Sequence, residues 1–131
     1  MRDLDLILLS GAGGWPDLPP NVGALATTRC GGTSAGPFGD AAGRGGLNLG
    51  GHVGDDPQAV ARNRSLLRER LPCRPVWISQ VHGVDVVQAD SVAEGDPVPT
   101  ADASIATRHG VACTILTADC LPVLFADLDG R

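Results

Sequence analysis

The chain has 131 residues, of which 43% are hydrophobic, 19% charged and 3% aromatic, with no Tyr. That is enough for one globular domain with a core of Val, Leu, Ile and Ala, and it excludes an intrinsically disordered chain. The net charge is -5 and all ten basic residues are Arg, which argues against nucleic-acid binding but leaves room for a small anionic substrate at a local positive spot.

Residues 4–9 predict a short strand, residues 10–23 a loop rich in Gly and Pro, and residues 23–28 a second strand. A glycine-rich stretch over 30–54 follows, interrupted by Gly46-Leu47-Asn48-Leu49-Gly50. A loop that long in a compact domain is either functional or a place of variation. The spacing of Val60, Asn63/Arg64, Leu67 and Leu71 predicts a helix over 56–71. Asp55 or Asp56 serves as its N-cap, and Pro57 sits in the first turn, where a missing N–H costs nothing. Arg68 and Arg70 lie at the negative end of the helix dipole, and Pro72 and Pro75 stop the helix. Apolar or β-branched runs over 76–79, 84–89, 103–107, 111–117 and 123–126 then predict strands. Strands, one helix and more strands indicate an α+β fold with mixed sheets rather than repeated βαβ units.

Asp127-Leu128-Asp129-Gly130 is a hairpin-turn signal with no second strand before Arg131. The chain is therefore expected to be the N-terminal portion of a longer single domain, covering 1–131. Met1-Arg2-Asp3-Leu4-Asp5 lacks the pattern of a secretory leader, and no apolar run is long enough to span a bilayer. The four Cys, at 30, 73, 113 and 120, include no CxxC pair, so a zinc ribbon is unsupported and a cytoplasmic protein with reduced thiols is expected.

Cys120 lies at a turn between two apolar runs, next to Asp119, and Pro122 removes a backbone donor just beyond it. His82 ends another strand-like run, before Gly83, with Gln80 two residues back on the same face. A thiolate and an imidazole suit a borderline metal ion. They also suit a nucleophile and its base. The bland alternatives are a packed thiol and a solvated turn histidine. Cys113 reads as core and His109 as surface, whereas His52, in the glycine-rich loop, stays open, and Cys30 and Cys73 have no partner at ligand spacing. Arg29, with Gly31 and Gly32, forms a possible anion site, a guanidinium fork beside glycine amides. It is not a P-loop, because no Lys follows. Asp102 and Asp119 are candidate bases or ligand-orienting partners, or merely solvated carboxylates.

Several short pieces occur in order: Thr28-Arg29 with Gly31-Gly32 and Ser34, Leu47-Asn48-Leu49-Gly50, His52-Val53-Gly54-Asp55, Asn63-Arg64, Gln80-Val81-His82-Gly83, Ala101-Asp102-Ala103, and Thr117-Ala118-Asp119-Cys120-Leu121-Pro122-Val123. This set resembles the laccase-domain, or polyphenol-oxidase-like, family of bacterial YfiH and FAMIN-type proteins. The resemblance implies an α+β sandwich with mixed sheets layered between helices. It implies a zinc or copper centre of two His and one Cys, to which this sequence contributes His82 and Cys120. The second His belongs to a His-Ala-Gly-Trp-Arg-Gly motif that the sequence does not reach, so the chain alone is expected to be inactive.

The candidate catalytic residues are Cys120, His82 and Asp119, and the candidate substrate- or phosphate-binding residues are Arg29, Gly31, Gly32, Asn48, Gln80 and Asp102. The implied activities are purine nucleoside phosphorolysis and adenosine deamination, on adenosine and inosine, with a purine nucleoside and phosphate as partners and neither nucleic acid nor membrane. Bacterial members are also linked to peptidoglycan editing. The alternatives are a copper-dependent polyphenol oxidase, a cysteine hydrolase with Cys120 as nucleophile and His82 as base, and an inert half-domain or assembly partner. The sequence carries no His-x-His pair of the multicopper oxidase kind.

Overall fold

The computed structural model describes residues 4–11 and 14–131. The leader reading on Met1, Arg2 and Asp3 falls outside the described residues. The chain divides into two compact units, Met1–Arg70 with Ala126–Gly130, and Leu71–Phe125 with Arg131.

In the first unit, β1 (Leu6–Leu8) runs antiparallel to β2 (Leu25–Thr27), with Leu6 opposite Thr27 and Leu8 opposite Leu25. The glycine-rich stretch is not all loop. Its first residues form β3 (Cys30–Ser34), which makes isolated antiparallel bridges from Cys30 and Ser34 to Gly46. Two glycines at the heart of β3 hid it from a propensity reading, and packing explains why Gly32 is there. A Cβ on Gly32 would collide with the Gly46 carbonyl and lie 2.6 Å from both Leu47 Cα and Asn63 Oδ1, so only a residue without a side chain fits.

The helix α1 (Pro57–Arg70) follows the predicted stripe, burying Ala59, Val60, Asn63 and Leu67 against β3. Asp56 is its cap. The Asp56 carboxylate accepts the Gln58 N–H at 3.0 Å and its carbonyl accepts the Val60 N–H at 3.1 Å. Asp55 turns instead to the core side, where it receives the Ser34 hydroxyl at 2.6 Å and the Asn48 amide at 3.0 Å. The turn signal at 127–130 does form a turn, with the Gly130 N–H on the Asp127 carbonyl at 3.0 Å, and Asn21 Nδ2 donates to the Gly130 carbonyl at 2.8 Å.

In the second unit, β4 (Arg74–Val76) pairs in parallel with β7 (Val111–Cys113), and β5 (Val86–Gln88) pairs in parallel with β6 (Ala103–Ile105). Val76, Ile78, Ala89 and Ala101 form its buried core. One antiparallel and two parallel two-stranded sheets, with one α-helix among the described residues, make this an α+β fold. Two expectations fail here. Residues 123–126 form no strand. Val123 and Phe125 are exposed, and apolar residues alone make no strand without a ladder for their N–H and C=O groups. Cys113 is exposed rather than core, because it is the last residue of β7, where the ladder with β4 stops and cover is lost.

Candidate functional site

Parallel pairing in the second unit carries the two donor-bearing segments side by side. The β4/β7 ladder ends at Val76 opposite Cys113. Side chains then continue the pairing: Thr114 Oγ1 donates to the Val76 carbonyl at 2.6 Å. The Gln80 amide closes a ring with one residue of the other segment, donating to the Leu116 carbonyl at 3.0 Å and accepting the Leu116 N–H at 2.8 Å. Beyond this clamp the two segments deliver His82 and Cys120, whose Nε2 and Sγ stand 4.0 Å apart although 38 positions separate them in sequence. Both side chains are exposed, as is Asp119.

His82 has φ +58°, the left-handed region, which a residue with a Cβ adopts only when something holds it there. Asp102 does so. Its Oδ1 accepts the N–H groups of Val81 at 3.0 Å and His82 at 2.7 Å, and its Oδ2 accepts that of Gly83 at 2.7 Å. A Cβ on Gly83 would come within 3.2 Å of Oδ2, so the missing side chain lets the carboxylate close on the turn. Partial burial of Asp102 works to raise its pKa, but the N–H donors of Gly83, His82 and Val81 and the nearby His82 charge outweigh it and hold the pKa below the usual value.

The remaining sequence candidates lie in the first unit. Arg29 is exposed and its Nη2 donates to the main-chain carbonyls of Pro37, at 3.3 Å, and Gly39. Gly31 has φ +92°, while Gly32 is buried against Gly46 and Asn63. Asn48 is half-buried and binds Asp55 and the Gly50 carbonyl. The centre of this unit is a residue read from sequence as part of the helix stripe and of the short Asn63-Arg64 piece, with no site role. Asn63 is fully buried. Its Oδ1 accepts the Thr33 N–H at 2.8 Å and hydroxyl at 3.1 Å, and its Nδ2 donates to Ser34 Oγ at 2.9 Å and to the carbonyls of Gly46 and Asn48 at 3.1 and 2.8 Å. An amide on an otherwise apolar helix face was the available signal. His52 and His109 are both exposed.

The family model described as multi-copper polyphenol oxidoreductase laccase matches residues 23–131. The chain belongs to this family. A purine nucleoside phosphorylase of Pseudomonas aeruginosa is 55% identical over 116 residues, covering 88% of this laccase-family chain and 43% of that protein. The purine nucleoside phosphorylase YfiH of Escherichia coli is 43% identical over 120 residues, covering 88% and 45%. Among solved structures, a Neisseria meningitidis protein of the DUF152 family aligns with a TM-score of 0.74 at 37% identity, over 88% of this chain and 43% of that one. This laccase-family chain thus spans less than half the length of the relatives it matches. Among the described residues, no helix is long and apolar enough to cross a membrane.

The family description names copper, and the donor chemistry here is suited to such a metal: one thiol and one imidazole at an accessible surface. Among the described residues no third His, Cys, Asp or Glu completes a cluster with them. The pair therefore fits as two ligands of a centre that needs at least one more.

Proposed function

We propose that this chain forms part of a purine nucleoside phosphorylase in which His82 and Cys120 supply two ligands to a zinc ion. The approach of Sγ to Nε2, at 4.0 Å, carries the reading. Zinc bonds of about 2.3 Å to sulfur and 2.0 Å to nitrogen at a tetrahedral angle put the two donors about 3.5 Å apart, so small rotations of exposed side chains bridge them. The ion, when bound, supplies Lewis acidity at an open coordination position. Cys120 gives up its proton on loading, and His82 offers Nε2 as a neutral imidazole.

Phosphorolysis breaks the bond between the ribose C1′ and the purine nitrogen, forms a bond from C1′ to a phosphate oxygen, and leaves the purine with a proton. Asp119, exposed beside Cys120, is the proposed carrier of that proton. Arg29, Gly31, Gly32 and Asn48 hold the proposed phosphate- and substrate-binding roles of the first unit. Adenosine and inosine are the proposed substrates. Deamination of adenosine, in which water replaces the exocyclic amine and ammonia leaves, belongs to the same reading. A copper-dependent phenol oxidase is the second reading, favoured by the family description and by a Cys/His donor pair that also suits copper. A cysteine hydrolase is the third, favoured by the same sulfur–imidazole contact without a metal.

With only two donors, the chain alone is expected to show no turnover. The test is a chimera in which this chain replaces the matching segment of the Pseudomonas aeruginosa phosphorylase. It should release adenine and ribose 1-phosphate from adenosine and phosphate, and lose that activity with Cys120→Ser or His82→Ala. A folded chimera without base release, or one indifferent to Cys120→Ser, refutes the proposal.

A further inference from the structure

Gln80 and Asp102 carry polar groups close to the His82–Cys120 pair, and a substrate-binding role is the first assignment such residues attract. Their bonds point elsewhere. Both polar atoms of the Gln80 amide are engaged by the main chain of Leu116, at 3.0 and 2.8 Å. Both oxygens of Asp102 are engaged by three consecutive main-chain N–H groups, from Val81 to Gly83.

We infer that Gln80 and Asp102 are positioning residues, which preorganise the metal-ligand pair through the main chain and do not contact substrate. The inference rests on the reading that His82 and Cys120 hold a metal. Two separate degrees of freedom must be fixed for a histidine and a cysteine 38 positions apart to meet. One is the separation of the two segments. Gln80 lies two residues before His82 and Leu116 four before Cys120, so the amide ring joins the segments just beyond the point where the β4/β7 ladder stops. The other is the direction of the imidazole. Among the described residues His82 is the only non-glycine with positive φ, and the Asp102 carboxylate gathers the N–H groups on both sides of it. Left to itself the turn would relax to φ below zero and swing the ring to a different bearing. Groups that orient metal ligands commonly govern affinity as strongly as a weak ligand does.

Cobalt(II) titration of the chimera described above, which supplies the rest of the centre, reads this directly, through thiolate-to-cobalt absorption, with zinc competition giving the affinity and no nucleoside present. Gln80→Leu and Asp102→Asn should each weaken zinc binding on the order of tenfold to a hundredfold and diminish the band, with the far-ultraviolet circular dichroism unchanged. Asp90→Asn is the control. Asp90 also pins main-chain N–H groups in this unit, those of Thr107 and Arg108, at 2.7 and 3.2 Å, but neither of them leads to a donor, so affinity should stay within twofold. Where Gln80→Leu unfolds the chimera, Gln80→Glu, which keeps an acceptor for the Leu116 N–H, is read in its place.

A wild-type chimera with no band, or a band that survives Cys120→Ser, removes the metal reading and this inference with it. A Cys120-dependent band with wild-type affinity in both variants overturns the inference alone. So does an equal loss in Asp90→Asn, which would mark a general effect on stability.

Discussion

The first unit is organised around a neutral amide with no solvent exposure, whereas the second is organised by carboxylates at its surface. Asn63 joins α1 to β3 and to the Gly46–Asn48 main chain, using donors and acceptors together. Asp90 and Asp102 only accept, and each gathers N–H groups of a turn. The difference follows from solvation. An amide can be fully satisfied without water, while a carboxylate is far costlier to bury. A buried amide therefore suits a permanent joint between a helix and a strand. A surface carboxylate suits a loop that must hold a shape while a side chain such as His82 stays exposed.

The comparison breaks most readily at Asn63. Asn63→Ala leaves the Thr33 N–H and the Gly46 and Asn48 carbonyls without the amide that binds them, and should lower stability by about 3 kcal/mol, read as a shift in the urea midpoint of the helical circular dichroism. Gly32→Ala forces a methyl against main chain that cannot move aside, with a loss of about 2 kcal/mol in the same assay. Removing the helix cap with Asp56→Ala should cost about 1 kcal/mol. Cutting a pin in the second unit with Asp90→Asn should move the midpoint much less than Asn63→Ala does, and equal losses would end the contrast between the two frames.

The smallest expected effect is on acid sensitivity. The Asp55 carboxyl is held below its usual range by the Ser34 hydroxyl, then by the Asn48 amide, against a burial effect of opposite sign. At Asp40 burial pushes upward, but the Arg44 N–H, side chain and charge prevail. At Asp90 the Thr107 N–H leads in lowering the pKa. A carboxyl whose folded pKa lies below the unfolded value binds fewer protons when folded. Its contribution is complete above the unfolded value, about 3.9 for Asp, and fades as pH falls through the folded one. Stability attributable to these groups should be flat from pH 7 to 5 and decline below about pH 4, with a shallower decline in Asp55→Asn.

Much of this was legible in the sequence where the pattern is local. The stripe of Val60 and Leu67, the Asp-Pro start and the following Pro72 gave α1 nearly to the residue. β3 was hidden because its glycines are chosen by contact with Gly46 and Leu47, partners found only after folding. The run over 123–126 misled because apolar content says nothing of a pairing partner. The approach of His82 to Cys120 came from family resemblance, since no local period links positions 38 apart. The grip of Asp102 on the His82 turn was not readable at all: a single aspartate before a strand has the same appearance whether or not it gathers three N–H groups.

The most direct test of the central claim is zinc-edge X-ray absorption on the chimera loaded with one equivalent of zinc. The account predicts one sulfur near about 2.3 Å and nitrogen near about 2.0 Å, with the sulfur lost in Cys120→Ser and a nitrogen lost in His82→Ala. A shell of light atoms only, unchanged by either substitution, would contradict it.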